Sequence, residues 1–193
     1  MKASIKPILL GIVMAIPLLL TAQERGIKVG QRVPDWRLPD AGNKMFTLES
    51  WENKVLIINY VDPGQSDLND DFNDFIKNVV ERDRRIDPDK FDGFGIVDSR
   101  STWMPNSAIR IVARRKARRY DATILFDYEG LLQDIWGMPK NSYTTIIVDR
   151  ERVCRAIFRG EIPRSEWDNI VKLIIELTEG APPRPSYPYL LRK

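Results

Sequence analysis

The chain has 193 residues, 43% hydrophobic and 30% charged, with 30 Lys and Arg against 27 Asp and Glu. That length suits one domain with a full core, and a formal net charge of +3 is too small to point to nucleic acid. Histidine is absent and Cys154 is the only cysteine, which removes the commonest general base and metal ligand and excludes an intrachain disulfide or a cysteine-built zinc site. No cofactor and no metal is expected.

Residues 1–22 read as an export signal. Lys2 and Lys6 give a basic start, and residues 8–20 are apolar apart from Gly11 and Pro17. This run is shorter than the ~20 residues that a spanning helix needs. Thr21-Ala22-Gln23 offers a small-residue exit, with cleavage after Ala22; an uncleaved anchor is the alternative. Either way the domain, residues 23–180, is expected to be periplasmic or secreted. With one cysteine, its stability must come from its core.

Residues 23–52, with Pro34, Pro39 and Gly42, suit short extended pieces and turns. Val55–Val61 is a continuous apolar run rich in β-branched residues, the pattern of a central strand buried on both faces. A helix is expected over 68–86, because Leu68, Phe72, Phe75, Ile76, Val79 and Val80 fall on one stripe, with Pro88 as its stop. Residues 94–97 read as a strand, 107–120 as a basic helix and 123–126 as a third strand closed by Asp127 and Gly130. Residues 143–149 and 153–159 read as a hairpin around Arg150-Glu151. A last helix is expected over 165–178, with Ser165 and Asp168 as a capping box and Gly180 just past its end. The order β-α-β-α-β, then β-β-α, needs a parallel half with crossover helices. The last stretch, 181–193, holds four prolines and suits an extended tail that docks on its own domain or on a partner.

The strand at 55–61, the polar turn after it and the helix beyond, preceded by VPDWRLPD at 33–40, resemble the start of a secreted thioredoxin-like domain of the TlpA or peroxiredoxin type. Over about residues 28–178 the chain resembles the YtfJ family of periplasmic thioredoxin-fold proteins. The residues that carry this are Gly30-Gln31-Arg32-Val33-Pro34, the segment 54–60, Phe126-Asp127-Tyr128-Glu129-Gly130 leading to Trp136, and 145–149 followed by Val153 and the helix from Ser165. The resemblance implies an α/β three-layer sandwich, whose central mixed sheet has a parallel βαβ half and closes with a C-terminal hairpin and helix.

Three departures stand out. In the redox members of that superfamily the turn after the strand carries reactive cysteines. Here it reads Asp62-Pro63-Gly64-Gln65-Ser66-Asp67. A proline before the 143–149 type of strand is replaced by Tyr143, followed by Thr144. The hairpin glycine is also missing, since Asp149-Arg150-Glu151-Arg152 runs straight through. These turn residues, with Tyr143 and Thr144, form a vestigial site with no catalytic residue assigned.

Other chemistry-bearing groups have bland alternatives. Asp62, Asp67, Asp70, Asp71 and Asp74 could hold a hard cation, but acids at a helix start also complement its dipole, and the spacing is not that of an EF-hand. Cys154 lies within a strand and reads as buried and inert. Arg110, Arg114, Arg115, Arg118 and Arg119 form a basic stripe, either a solvated face or a face for anionic lipid or an acidic envelope protein. The sequence thus reads as an exported thioredoxin-like protein without a redox dithiol, with a binding or structural role. A thiol-disulfide or peroxiredoxin-like enzyme using Cys154, or a redox partner subunit, is the alternative. A hydrolase built on Asp62 and Asp67 lacks a nucleophile and ranks last.

Overall fold

The computed structural model describes residues 26–180. The export signal and the proline-rich tail lie outside the described residues. In chain order the strands are β1 (Leu38–Pro39), β2 (Met45–Phe46), β3 (Val55–Val61), β4 (Phe91–Asp98), β5 (Thr123–Asp127), β6 (Tyr143–Val148) and β7 (Cys154–Arg159). The helices are α1 (Asp70–Glu81), α2 (Asn106–Tyr120), α3 (Leu131–Ile135) and α4 (Trp167–Glu179). β1 and β2 form a small antiparallel ladder, and the other five strands form one mixed sheet in the order β5-β4-β3-β6-β7. β3, β4 and β5 are parallel, while β6 and β7 return antiparallel. The parallel half and the closing hairpin and helix are therefore as expected.

Side chains alternate across the sheet, and both faces are buried. Val55, Ile57, Phe91 and Ile147 meet Phe72, Ile76 and Val79 of α1 and Ile170, Val171 and Ile174 of α4. On the same face α2 lays Ile109 and Ala113 over Phe126, beside Val97 and Ile124. The other face carries Leu56, Ile58, Tyr60, Phe94 and Leu125, covered by Trp36, Trp51, Leu132 and Trp136. Trp136 is fully buried and its indole N–H donates to the Pro34 carbonyl at 2.9 Å. The VPDWRLPD fragment therefore acts as the cover of the second face.

Several boundaries differ from expectation, each for a local reason. α1 begins at Asp70, because Asn69 is held elsewhere: its amide donates to the Gly160 carbonyl and its oxygen accepts from Ile162 N–H. Leu68 is exposed. α1 ends at Glu81, where Asp83 and Arg85 N–H close on the Asn78 and Val79 carbonyls and Arg84 turns to a φ of 53°. Ile86 is buried but outside the helix. The capping box at Ser165 and Asp168 does not form. Pro163 has its φ fixed at −58° and starts a 3-10 turn at Arg164–Glu166, so Ser165 sits inside that turn. Gly180 does end α4, with a φ of 77°. Helix α3 has no counterpart among the expected elements. It forms because the Asp127 carboxylate accepts from the Leu131 and Leu132 amides at 2.8 and 2.9 Å.

The β6–β7 turn explains the missing glycine. Arg152 takes the left-handed conformation at a φ of 63°, and its guanidinium donates to the carbonyls of Leu48 and Lys54, both at 3.0 Å, and of Trp51 at 2.7 Å. The side chain that costs backbone strain here also satisfies the end of the 3-10 helix Leu48–Trp51.

Candidate functional site

The turn after β3 is a compact 3-10 element, Pro63–Gln65, and Asp62 starts it. The Asp62 carboxylate accepts from Gly64 N–H at 2.8 Å, and its own N–H donates to the Ser142 carbonyl at 2.9 Å. Asp62 and Pro63 are buried, while Gly64, Gln65 and Asp67 are exposed. Tyr143 lies opposite Val61 in the sheet register. Tyr143, Pro63 and Ser66 thus line the same end of a cavity of about 320 Å³ between α1 and α2, over Ile57 and Gly95. Thr144 pairs with Tyr60 and faces the other side of the sheet, where its hydroxyl is buried without a hydrogen-bond partner.

The floor of the cavity is polar where a core strand would ordinarily be apolar. Thr145 Oγ1 donates to Asn59 Oδ1 at 2.8 Å, Asn59 Nδ2 to Asn73 Oδ1 at 3.3 Å and Asn73 Nδ2 to the Tyr143 hydroxyl at 3.1 Å. Burial pushes the Tyr143 hydroxyl well above its ordinary value, so it stays neutral.

The acidic run and the basic helix meet each other. Lys116 Nζ lies 2.6 Å from Asp67 and 2.5 Å from Asp70. Arg119 spans Asp70 at 3.0 Å and Asp74 at 2.5 Å. The hydrogen bond from Lys116, and then its charge, holds the Asp67 carboxyl below the usual carboxylate range. Among the described residues no group of His, Cys, Asp or Glu is arranged to hold a metal ion. The acids at the start of α1 serve as counter-ions to α2. Arg110 turns toward Tyr128, donating to its hydroxyl at 2.9 Å. Arg114, Arg115 and Arg118 point to solvent. Two further outward residues, Trp103 and Ile111, do not stand out in the sequence, because a lone Trp in a loop and a lone Ile in a basic helix carry no pattern.

Cys154 is fully buried on β7, packed in the cluster with Trp36 and Trp136 on the second face. Burial pushes its thiol up to about 12, beyond the reach of neighbouring Arg155 to offset. A thiol held protonated and out of solvent is not a nucleophile.

A second polar centre lies at the ends of β4 and β5, where Asp98 and Asp127 are paired in register and both buried. Asp127 accepts from the two α3 amides and from the Tyr60 hydroxyl at 3.3 Å. Asp98 accepts from Ser101 N–H and from Gln133 Nε2, the latter at 2.8 Å. Burial raises the Asp127 carboxyl above its usual range, with a smaller push from the Asp98 charge, against the pull of the two amides. The unfolded chain ionises this group near 3.8, while the folded chain keeps its proton to a higher pH. Its contribution to stability is therefore full below that value and is lost as pH rises through the folded value. Wild-type stability minus that of Asp127→Asn should fall across this window, as read from urea midpoints. A pH-independent difference would mean that Asp127 titrates as an ordinary carboxylate.

No family model matches the chain, and no curated protein matches it. Solved structures do. The thioredoxin domain of a thiol-disulfide oxidoreductase from Bacteroides vulgatus superposes with a TM-score of 0.56 at 12% identity, covering 78% of this chain and 99% of that one. An exposed lipoprotein thioredoxin from Streptococcus pneumoniae gives 0.56 at 13%, over 72% and 98%. A hypothetical protein from Sinorhizobium meliloti gives 0.59 at 18%, over 84% and 90%. These likenesses show the fold: the chain has the thioredoxin-like architecture of these neighbours.

Proposed function

We propose that this is an exported thioredoxin-fold protein that binds without thiol chemistry, a non-catalytic component of the cell envelope of the YtfJ type. The observation that carries it is the placement of sulfur. The turn at the end of β3 has no thiol, and the chain's one cysteine is fully buried on β7, against the opposite face. Disulfide exchange and peroxide reduction both need an accessible thiolate. Asp62, Gln65 and Ser66 cannot take its place, because no histidine activates them. Tyr143 and the amides of Asn59 and Asn73 give the cavity beside the turn a polar, hydrogen-bonded lining in place of a thiol.

Purified protein is expected neither to reduce insulin disulfides nor to consume hydrogen peroxide. Cys154→Ser should keep the fold at a cost of about 1–2 kcal/mol, the price of placing a hydroxyl where a small apolar thiol packed. Turnover that disappears in Cys154→Ser would overturn the reading in favour of an enzyme. Export is supported by the basic start and the short apolar run of residues 1–22. Protein isolated from its native envelope should begin at Gln23, and a retained Met1 would favour an anchor.

A further inference from the structure

We propose that the outward face of α2, with Ile111, Arg114, Arg115 and Arg118, together with the exposed Trp103 of the loop that leads into the helix, docks the protein on an anionic phospholipid surface. This rests on the binding reading above and names its partner.

Positions 111, 114, 115 and 118 follow the i, i+3, i+4, i+7 spacing, so they share one stripe of the helix. Trp103, in the loop just before α2, is 92% exposed and Ile111 is 67% exposed. Large apolar side chains this open are rare on the described surface. The other four tryptophans are all buried. The cations of α2 are sorted by side. Lys116 and Arg119 are neutralised by Asp67, Asp70 and Asp74, and Arg110 is spent on Tyr128. Arg114 and Arg118 have no carboxylate within ion-pair distance among the described residues, and Arg115 acts on Asp67 only as a more distant charge. Three like charges within two turns repel one another, and an anionic surface relieves that cost.

The shape of the patch selects a bilayer over a folded protein. Two turns of one helix make a small patch beside the ~1,000 Å² of total buried surface, counted over both partners, that a specific protein interface needs. A membrane engages small patches, since guanidinium groups meet head-group phosphates while an indole and an aliphatic side chain enter the interfacial layer beside them. Each arginine near an anionic leaflet strengthens binding about fivefold.

The test uses the full chain and reads Trp103 emission. Pelleting alone does not decide, because it does not tell lipid contact through α2 from contact through the apolar run at residues 8–20. The other tryptophans are buried, so a blue shift on contact with lipid reports Trp103. A blue shift is expected with vesicles containing phosphatidylglycerol and not with pure phosphatidylcholine. It should vanish in Trp103→Phe and at about 1 M salt, where the Debye length is about 3 Å. Arg114→Gln, Arg115→Gln and Arg118→Gln together should weaken the lipid dependence about 100-fold while leaving the folded spectrum intact, since all three side chains are exposed. An equal shift on both vesicles, no shift on either, or a shift unchanged in the triple variant overturns the proposal. A shift on polyglutamate without one on vesicles also overturns it, and assigns the face to an acidic protein. Thiol turnover would sink the non-catalytic reading while leaving the emission results standing, so the two failures are distinguishable.

Discussion

Arg152→Ala is expected to destabilise the protein by about 3–5 kcal/mol and to lower Tm by on the order of 10 °C. The guanidinium satisfies the carbonyls of Leu48, Trp51 and Lys54, and Arg152 is itself only 6% exposed. Alanine leaves those three acceptors without their protein donor, and it still has to hold a φ of 63°. Arg152→Gly separates the two effects. It removes the backbone strain and loses the same hydrogen bonds, so it should fall between wild type and alanine, about 1 kcal/mol above the latter. Urea denaturation of the three proteins checks the order. Glycine matching wild type would mean that the bonds contribute nothing and that the hairpin needs only the left-handed turn.

That case shows where the sequence is legible and where it stops. The sheet could be read because Val55–Val61 is apolar apart from Asn59 and rich in β-branched residues, the pattern of a strand covered on both faces, and both faces are covered. The absence of a glycine from Asp149-Arg150-Glu151-Arg152 could be seen too. The residue that replaces its conformation could not, because the partners of Arg152 are about a hundred residues away. The same holds for α2. Its stripe of arginines follows from helical spacing, but Lys116 and Arg119 turn toward Asp67, Asp70 and Asp74 only once β4 has placed α1 and α2 side by side. The start of α1 shifts because Asn69 is claimed by Ile162 and Gly160 from across the fold. At Ser165 the competitor is local instead: Pro163 sets the 3-10 turn in which Ser165 sits, and the capping box is lost.

Tyr143→Ala is expected to cost about 3–5 kcal/mol, comparable with Arg152→Ala and for a different reason. Tyr143 is 3% exposed and packs at the end of β3 beside the turn, where the resembling redox families place a proline. Its ring fills space that alanine leaves as a cavity, continuous with the existing one between α1 and α2. Its hydroxyl accepts from Asn73, which in turn accepts from Asn59. Tyr143→Phe removes only the hydroxyl and should cost about 1 kcal/mol, because the Asn73 amide loses one partner. The contrast between the two variants measures how much of the site is packing and how much is the amide chain. A proline in this place presents an extended backbone to a substrate; a tyrosine fills the place and ties it to α1. If Tyr143 is a structural replacement, Tyr143→Ala lowers the urea midpoint with no change in slope and gains no thiol turnover. A variant that kept full stability would show that the tyrosine is held poised toward the turn and belongs to a binding surface.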